Sequence, residues 1–266
     1  MSQEYRTKKR FGQHFLQDHG VIHKLIQYIN PKDEQQIIEI GPGMGALTFP
    51  LLEHIKHMEV IEIDRDVIKH LQQLAGDRLT IHSIDALKFD LADLLKDTQK
   101  MRIVGNLPYN ISTPLIFHLL QYQEYIQDMH FMLQKEVVDR MTAQPGSKTF
   151  GRLSVMVQYY CKTEYLFYVG PEAFNPPPKV DSAVILLQPW EEKPYLANDI
   201  NVLSKVVTQA FSMRRKTLRN TLKKFFTSEQ IEAVGINPSA RAETLSVKNF
   251  VDLSNLITLE ELLEIQ

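Results

Sequence analysis

Ile37-Ile38-Glu39-Ile40-Gly41-Pro42-Gly43-Met44-Gly45 is the stretch that decides the fold. A short apolar run ending in a glycine-rich turn is how the first strand of a parallel sheet passes the chain to a helix, and glycine there lets backbone approach a ligand where a side chain would clash. The pattern repeats downstream. Met58 to Ile63, Leu79 to Ser83 and Arg102 to Gly105 read as strands, while Ala46 to His54, Arg65 to Leu74 and Pro114 to Leu120 read as helices. Such alternation marks βαβ units on a parallel sheet, an α/β fold. Met129 to Leu133 reads as a further strand, followed by a helix through Lys135 to Met141. Leu153 to Val169, rich in Val and Tyr, and Val180 to Gln188 read as strands closing the sheet, the last antiparallel after a long connection.

Gln188-Pro189-Trp190-Glu191-Glu192-Lys193-Pro194 has the Pro and charge content of a linker, which divides the chain into domains over 1–188 and 189–266. Beyond it, Ile200 to Met213, Lys216 to Phe226, Ser228 to Val234 and Val247 to Leu256 carry apolar residues at helical spacing, so the second domain is small and all-helical. The 266 residues are 44% hydrophobic, ample for a core. No apolar stretch reaches the roughly 18 residues a bilayer requires, and Met1-Ser2-Gln3-Glu4-Tyr5 is no signal region, which points to a cytoplasmic protein without a membrane partner. A single Cys161, read as a half-buried strand residue, excludes a disulfide framework and a Cys-based zinc cluster. His19 and His23 share a helical spacing without further ligands, so no metal is expected.

The net charge of −2 hides an uneven distribution. Arg6, Lys8, Lys9 and Arg10 form one basic block; Arg214, Arg215, Lys216, Arg219, Lys223 and Lys224 form another with no acid among them, whereas Asp252, Glu260, Glu261 and Glu264 gather near the carboxyl end. Gripping a phosphate backbone on one face produces such asymmetry, and so does a solvated helix face.

The chemistry is carried by Asn106-Leu107-Pro108-Tyr109, at the end of the strand over Arg102 to Gly105. An exocyclic amine on a base is a poor nucleophile because its lone pair is delocalised into the ring. The Asn106 side-chain oxygen and the Leu107 carbonyl supply two acceptors for its hydrogens, Pro108 stiffens the turn, and the Tyr109 ring can stack on the base. In-line methyl transfer from a sulfonium suits this set, because the leaving group is neutral and positioning carries the rate without metal or strong base. Glu62, about twenty residues beyond the glycine turn, is placed to accept ribose hydroxyls, and Asp85 to accept from a cofactor adenine. Nicotinamide enzymes share the ribose acid, but here the third glycine comes one residue early for a pyrophosphate cradle. Phe174-Asn175-Pro176-Pro177-Pro178-Lys179-Val180 presents a second aromatic on a stiff proline run, which would sandwich a base against Tyr109 or would serve as a rigid connection between strands.

Phe11-Gly12-Gln13-His14-Phe15-Leu16, Glu39 to Thr48, Asn106 to Tyr109, Phe174 to Ser182 and Phe211-Ser212-Met213-Arg214-Arg215-Lys216-Thr217-Leu218 occur in an order, across nearly the whole chain, that resembles the KsgA-type 16S rRNA adenine N6,N6-dimethyltransferases of bacteria. The resemblance implies a Rossmann-like class I methyltransferase sheet with a small C-terminal all-helical domain. It implies that S-adenosylmethionine donates two methyls to N6 of each of two adjacent adenines in the 3′-terminal hairpin of 16S rRNA, within an immature small ribosomal subunit, by a monomeric enzyme. By position, His14 and Leu16 would contact the cofactor, Gly41 its methionine part, Glu62 the ribose, Asp85 the adenine and Asn106 both cofactor and target amine, with Pro108 rigid between Leu107 and Tyr109, and with Tyr109 and Phe174 on the target base. The helical domain and the block from Arg214 to Lys224 would dock the ribosome. Ile84 stands where the family commonly has Gly before the acid. A relative acting on the large-subunit RNA shares the core, and an assembly checkpoint role is compatible with the same binding surface.

Overall fold

The computed structural model describes residues 14–95 and 99–264; Arg6, Lys8, Lys9, Arg10 and the Phe11-Gly12-Gln13 part of the first motif lie outside them. Two compact units form, one from the chain up to Val138 together with Glu164–Pro189, the other from Asp139–Thr163 together with the chain from Trp190 on.

In the first unit β1 (Phe15–Leu16) leads into α1 (His19–Ile29), and then β2 (Ile37–Ile40), α2 (Thr48–Leu52), β3 (Met58–Glu62), α3 (Arg65–Ala75), β4 (Leu79–Ser83), β5 (Met101–Asn106), α4 (Ser112–Leu120) and β6 (Ile126–Gln134) alternate. After α5 (Lys135–Met141) and α6 (Arg152–Tyr160) come β7 (Cys161–Val169), β8 (Phe174–Asn175) and β9 (Ser182–Pro189). Seven strands make one sheet in the order β4-β3-β2-β5-β6-β9-β7. Its first five are mutually parallel, and β9 runs antiparallel to β6. Every residue of β2 and β3 is buried, as their near-continuous apolar runs require of strands covered on both faces. α1 buries Ile22, Leu25, Ile26 and Ile29, a stripe of helical period, and begins where Asp18 accepts the Val21 N–H at 2.9 Å. That stripe packs with Ile37, Leu51, Val60, Val67 and Leu71 in one apolar cluster.

The winding reverses between β2 and β5, which leaves a crevice outside their carboxyl ends. The two ends approach so closely that a Cβ at Gly105 would lie 2.6 Å from the Ile40 carbonyl oxygen, so glycine is required there. Deeper in the sheet, Arg102 on β5 faces Asp128 on β6, and its Nε lies 3.0 Å from both carboxylate oxygens while Nη1 donates to Gln35 at 2.8 Å. Burial pushes the Asp128 carboxyl up, but His130, 3.4 Å away, and Arg102 outweigh it and hold the group below its ordinary value.

The second unit is helical. α7 (Ile200–Ala210) is packed by α6 and α10 (Val247–Ser254), with α8 (Leu218–Thr221), α9 (Ser228–Ala233) and α11 (Leu259–Glu264) completing it. Phe211 joins the core, its ring 6.3 Å from that of Phe150 and 5.6 Å from that of Phe250. This unit takes in Asp139–Thr163, which sequence patterning groups with 1–188. The reason is α6: Leu153 to Val169 is expected as strand, but Arg152–Tyr160 is helix, capped where the Ser154 hydroxyl accepts the Gly151 N–H at 3.0 Å. Val155 and Val157 are fully buried, so tertiary packing overrides their β propensity. The helix expected over Lys216 to Phe226 is only the single turn of α8. Cys161 opens β7 and is buried. No helix of the described residues is long and apolar enough to cross a membrane.

Replacing Arg102 by Met would strand a buried carboxylate and should cost about 3 kcal/mol of unfolding free energy or more, measured by urea denaturation. Because its folded pKa is lowered, Asp128 stabilises the wild type above its unfolded value of about 4 and that gain fades as pH falls through the folded value; the variant, left with His130 alone, should show a smaller pH dependence there.

Candidate active site

A cavity of about 1400 Å³ occupies the crevice. The turn after β2 forms one wall: Gly41, Gly43 and Gly45 all have positive φ (68°, 52° and 87°), and a Cβ at Gly45 would lie 2.2 Å from the Phe49 ring. Gly41 keeps open space where its Cβ would be. Glu62, at the end of β3, turns a buried carboxylate toward this wall and accepts the N–H groups of Ile63 and Asp64, each at 2.8 Å. Burial raises its pKa, opposed by the N–H groups of Asp64 and Ile63, with Asp64's charge adding to the rise and Gly43's N–H opposing it. Asp85, in the loop after β4, is half-buried; one oxygen accepts the Leu87 N–H at 3.0 Å and the other has no partner among the described residues.

Asn106, the last residue of β5, sits opposite the glycine turn. Its Nδ2 donates to the His14 carbonyl at 3.1 Å. Since a carbonyl only accepts, the amide can have one orientation, with Oδ1 directed away and unpartnered among the described residues. The Leu107 N–H is held by the Met132 carbonyl at 3.1 Å, while the Leu107 carbonyl has no partner among them. Pro108 follows, and the Tyr109 hydroxyl lies 2.8 Å from Ser182 Oγ. Burial raises the Tyr109 pKa and that hydrogen bond opposes it. His14 completes the frame: its Nδ1 donates to the Pro176 carbonyl at 2.7 Å, and its ring stacks with Tyr109, centroids 6.0 Å apart and planes 28° apart. Leu16, in β1, lines the cavity beneath.

His14, Leu16, Gly41, Glu62, Asp85, Asn106, Leu107, Pro108 and Tyr109 thus share one cavity. Phe174 does not line it. The ring is 4% exposed and packs in the apolar cluster with Leu16, its partner across the β1–β8 ribbon, while the neighbouring Asn175 and Pro176 reach the cavity. Alternation along β8 turns Phe174 toward that cluster rather than to the cavity wall. Arg214, Arg215, Lys216, Arg219 and Lys223 are all exposed, on the second unit around α8. Arg214 donates to the Lys148 carbonyl at 2.5 Å and lies 3.6 Å from Glu243; the other four have no ion pair among the described residues. His19 and His23 are exposed on α1, and no group of three or more His, Cys, Asp or Glu placed to hold a metal occurs among the described residues. Sequence patterning missed the roles of Ser182 and the Pro176 carbonyl, although both stand in the proline motif.

A parallel sheet with its cavity at the β2–β5 switch point, an acid after each of the next two strands and Asn-Leu-Pro-Tyr on the rim define a class I methyltransferase. The fold is shared with a dimethyladenosine transferase from Plasmodium falciparum, at TM-score 0.76 and 27% identity over 90% of this chain and 96% of that one. It is shared too with the 23S rRNA methyltransferase ErmE, at TM-score 0.73 and 22% identity over 90% and 98%. Proteins called ribosomal RNA small subunit methyltransferase A are 56% identical in Hydrogenovibrio crunogenus, over 95% of this chain and 97% of that one, and 54% identical in Pseudomonas aeruginosa, over 95% of both. The family model described as ribosomal RNA adenine dimethylase matches residues 4–259, and the chain belongs to that family.

Ser182→Ala should release the Tyr109 hydroxyl and lower the methyl-transfer rate about fivefold, the equivalent of one hydrogen bond of ~1 kcal/mol, with donor affinity unchanged. Single-turnover kinetics and donor titration separate the two.

Proposed function

We propose that the protein transfers methyl groups from S-adenosylmethionine to N6 of two adjacent adenines in the 3′-terminal hairpin of 16S rRNA in the small ribosomal subunit, producing N6,N6-dimethyladenosine during subunit biogenesis, as a cytoplasmic monomer. The observation that carries the reading is the pair of acceptors without a partner among the described residues, Asn106 Oδ1 and the Leu107 carbonyl, on consecutive residues that line the cavity together with Tyr109. The small-subunit RNA is favoured by the names and 54–56% identity of the bacterial relatives.

The cavity fits the donor. Glu62 offers a carboxylate for the ribose hydroxyls, Asp85 an unpartnered oxygen for the adenine amine, and the Gly41 turn open backbone for the methionine part, with His14 and Leu16 closing the side. When bound, S-adenosylmethionine supplies an electrophilic methyl on a sulfonium whose departure leaves a neutral sulfur. In the first transfer Asn106 and Leu107 each accept one amine hydrogen, and in the second one of them accepts the single hydrogen left on the methylated nitrogen; either way the lone pair is drawn out of conjugation and aimed at the methyl. Tyr109, fixed by Ser182, offers a face on which the base stacks once out of its helix. The nitrogen becomes acidic as it alkylates and sheds its proton to water, so no side-chain base is required. The exposed cations from Arg214 to Lys223 grip phosphates from a separate unit, which favours a second role in subunit assembly that survives loss of catalysis.

Incubation with S-adenosylmethionine and small subunits from a strain lacking this modification, followed by nucleoside mass spectrometry, should yield N6,N6-dimethyladenosine. Asn106→Ala should abolish it while subunit binding persists and weakens steeply with salt. Absence of product with subunits bound would contradict the reaction, and salt-insensitive binding would contradict the docking surface.

A further inference from the structure

Tyr109 offers a face to one base, whereas the proposed substrate presents two adenines in succession. A second exposed tyrosine is tied to the same strand end. Tyr168, near the end of β7, is 51% exposed, and its hydroxyl donates to Asp181 Oδ1 at 3.0 Å. The next residue, Ser182, opens β9, and its Oγ lies 2.8 Å from the Tyr109 hydroxyl. Two phenols are therefore anchored by consecutive residues, one at the cavity and one outside it, since neither Tyr168 nor Asp181 lines the cavity. The anchor is fixed in turn: the Asp181 carbonyl accepts the Lys135 N–H at 2.9 Å, and Ser182 stands in register with Gln134 of β6. Charge decides what can lie on the Tyr168 ring. Asp181 and Glu172 both place negative charge beside it, which repels a phosphate and favours a neutral ring with hydrogen-bond donors on its edge. One Asp181 oxygen is engaged by Tyr168 and the other has no partner among the described residues, so it can accept from an exocyclic amine while the base stacks on the phenol. Lys179, two positions earlier, is exposed without an ion pair among the described residues and suits a phosphate of the same strand.

We propose that Tyr168 and Asp181 form a second base site, which holds the adenine adjacent to the one on Tyr109. Tyr168 stacks on that neighbour and the open Asp181 oxygen accepts its N6 amine. The inference deepens the proposed function and rests on it. Holding the neighbour outside the cavity unstacks the dinucleotide step, so less of that cost remains when the first adenine enters. No covalent step occurs at this site. A dimethylated neighbour has no N–H left for Asp181, so the site favours the unmodified base.

Single-turnover methylation of small subunits from a strain lacking the modification, compared with subunits in which one or the other adenine is replaced by uridine, forms a cycle with Tyr168→Ala. The wild type should methylate the remaining adenine of at least one replaced substrate about tenfold more slowly than the native pair, as loss of one base–aromatic stack implies. Tyr168→Ala should be slowed to the same degree on the native pair and no further on that replaced substrate, with donor affinity unchanged. Tyr168→Phe should keep most of the native rate. Tyr168→Leu, which keeps bulk without an aromatic face, should behave as Tyr168→Ala and decides the matter if the alanine variant does not fold. Slowing by an equal factor on native and replaced substrates marks a structural role and would overturn the base site. So would a Tyr168→Ala rate equal to that of the wild type, or a wild-type rate indifferent to the neighbour. Absence of dimethyladenosine from wild type acting on native subunits would instead overturn the proposed function and this inference with it.

Discussion

The proposed chemistry depends on the orientation of one side-chain amide. Asn106 can present an oxygen to a target amine only because its nitrogen is engaged by the His14 carbonyl. That bond requires His14, just before β1, to lie across the end of β5, and the β1–β8 ribbon and the His14–Pro176 hydrogen bond hold it there. The end of β5 is in turn set by the sheet, where Gly105 allows the β2 turn to come within backbone contact. The two acceptors and the cavity acids therefore belong to one frame, and catalysis by positioning needs such a frame.

Charge is sorted between the two units. The cavity of the first gathers acids and suits a cationic donor, whereas the second exposes cations on α8 and the turn before it and suits a polyanion. An overall charge of −2 conceals both. In the proposed function this makes recognition of donor and RNA separable, since neither charged surface would compete for the other's partner.

Much of this was legible in the sequence, for identifiable reasons. The parallel strands β2, β3 and β5 announce themselves because buried strands need largely apolar runs, the edge strand β4 is legible from its β-branched and alternating residues, and the acids and glycines at the strand ends are fixed by local geometry. What local pattern does not encode is long-range packing. Val155 and Val157 look like strand residues and lie in a helix because the core of the second unit surrounds them. Phe174 looks like a base-stacking aromatic beside its prolines, yet a two-residue ribbon with Leu16, over 150 positions away in sequence, turns it into the core. Ser182 stands inside the expected strand Val180 to Gln188, and only the fold brings it against Tyr109.

The most direct test is the state of the Asn106 side-chain amide in solution. With asparagine labelled by ¹⁵N and backbone carbonyls by ¹³C, coupling across a hydrogen bond identifies the partner of each Nδ2 proton. One proton should couple to the His14 carbonyl and exchange slowly, and the other should exchange freely with water. If neither proton couples to that carbonyl and both exchange alike, the amide is not held, and Oδ1 is not the prepositioned acceptor on which the account depends.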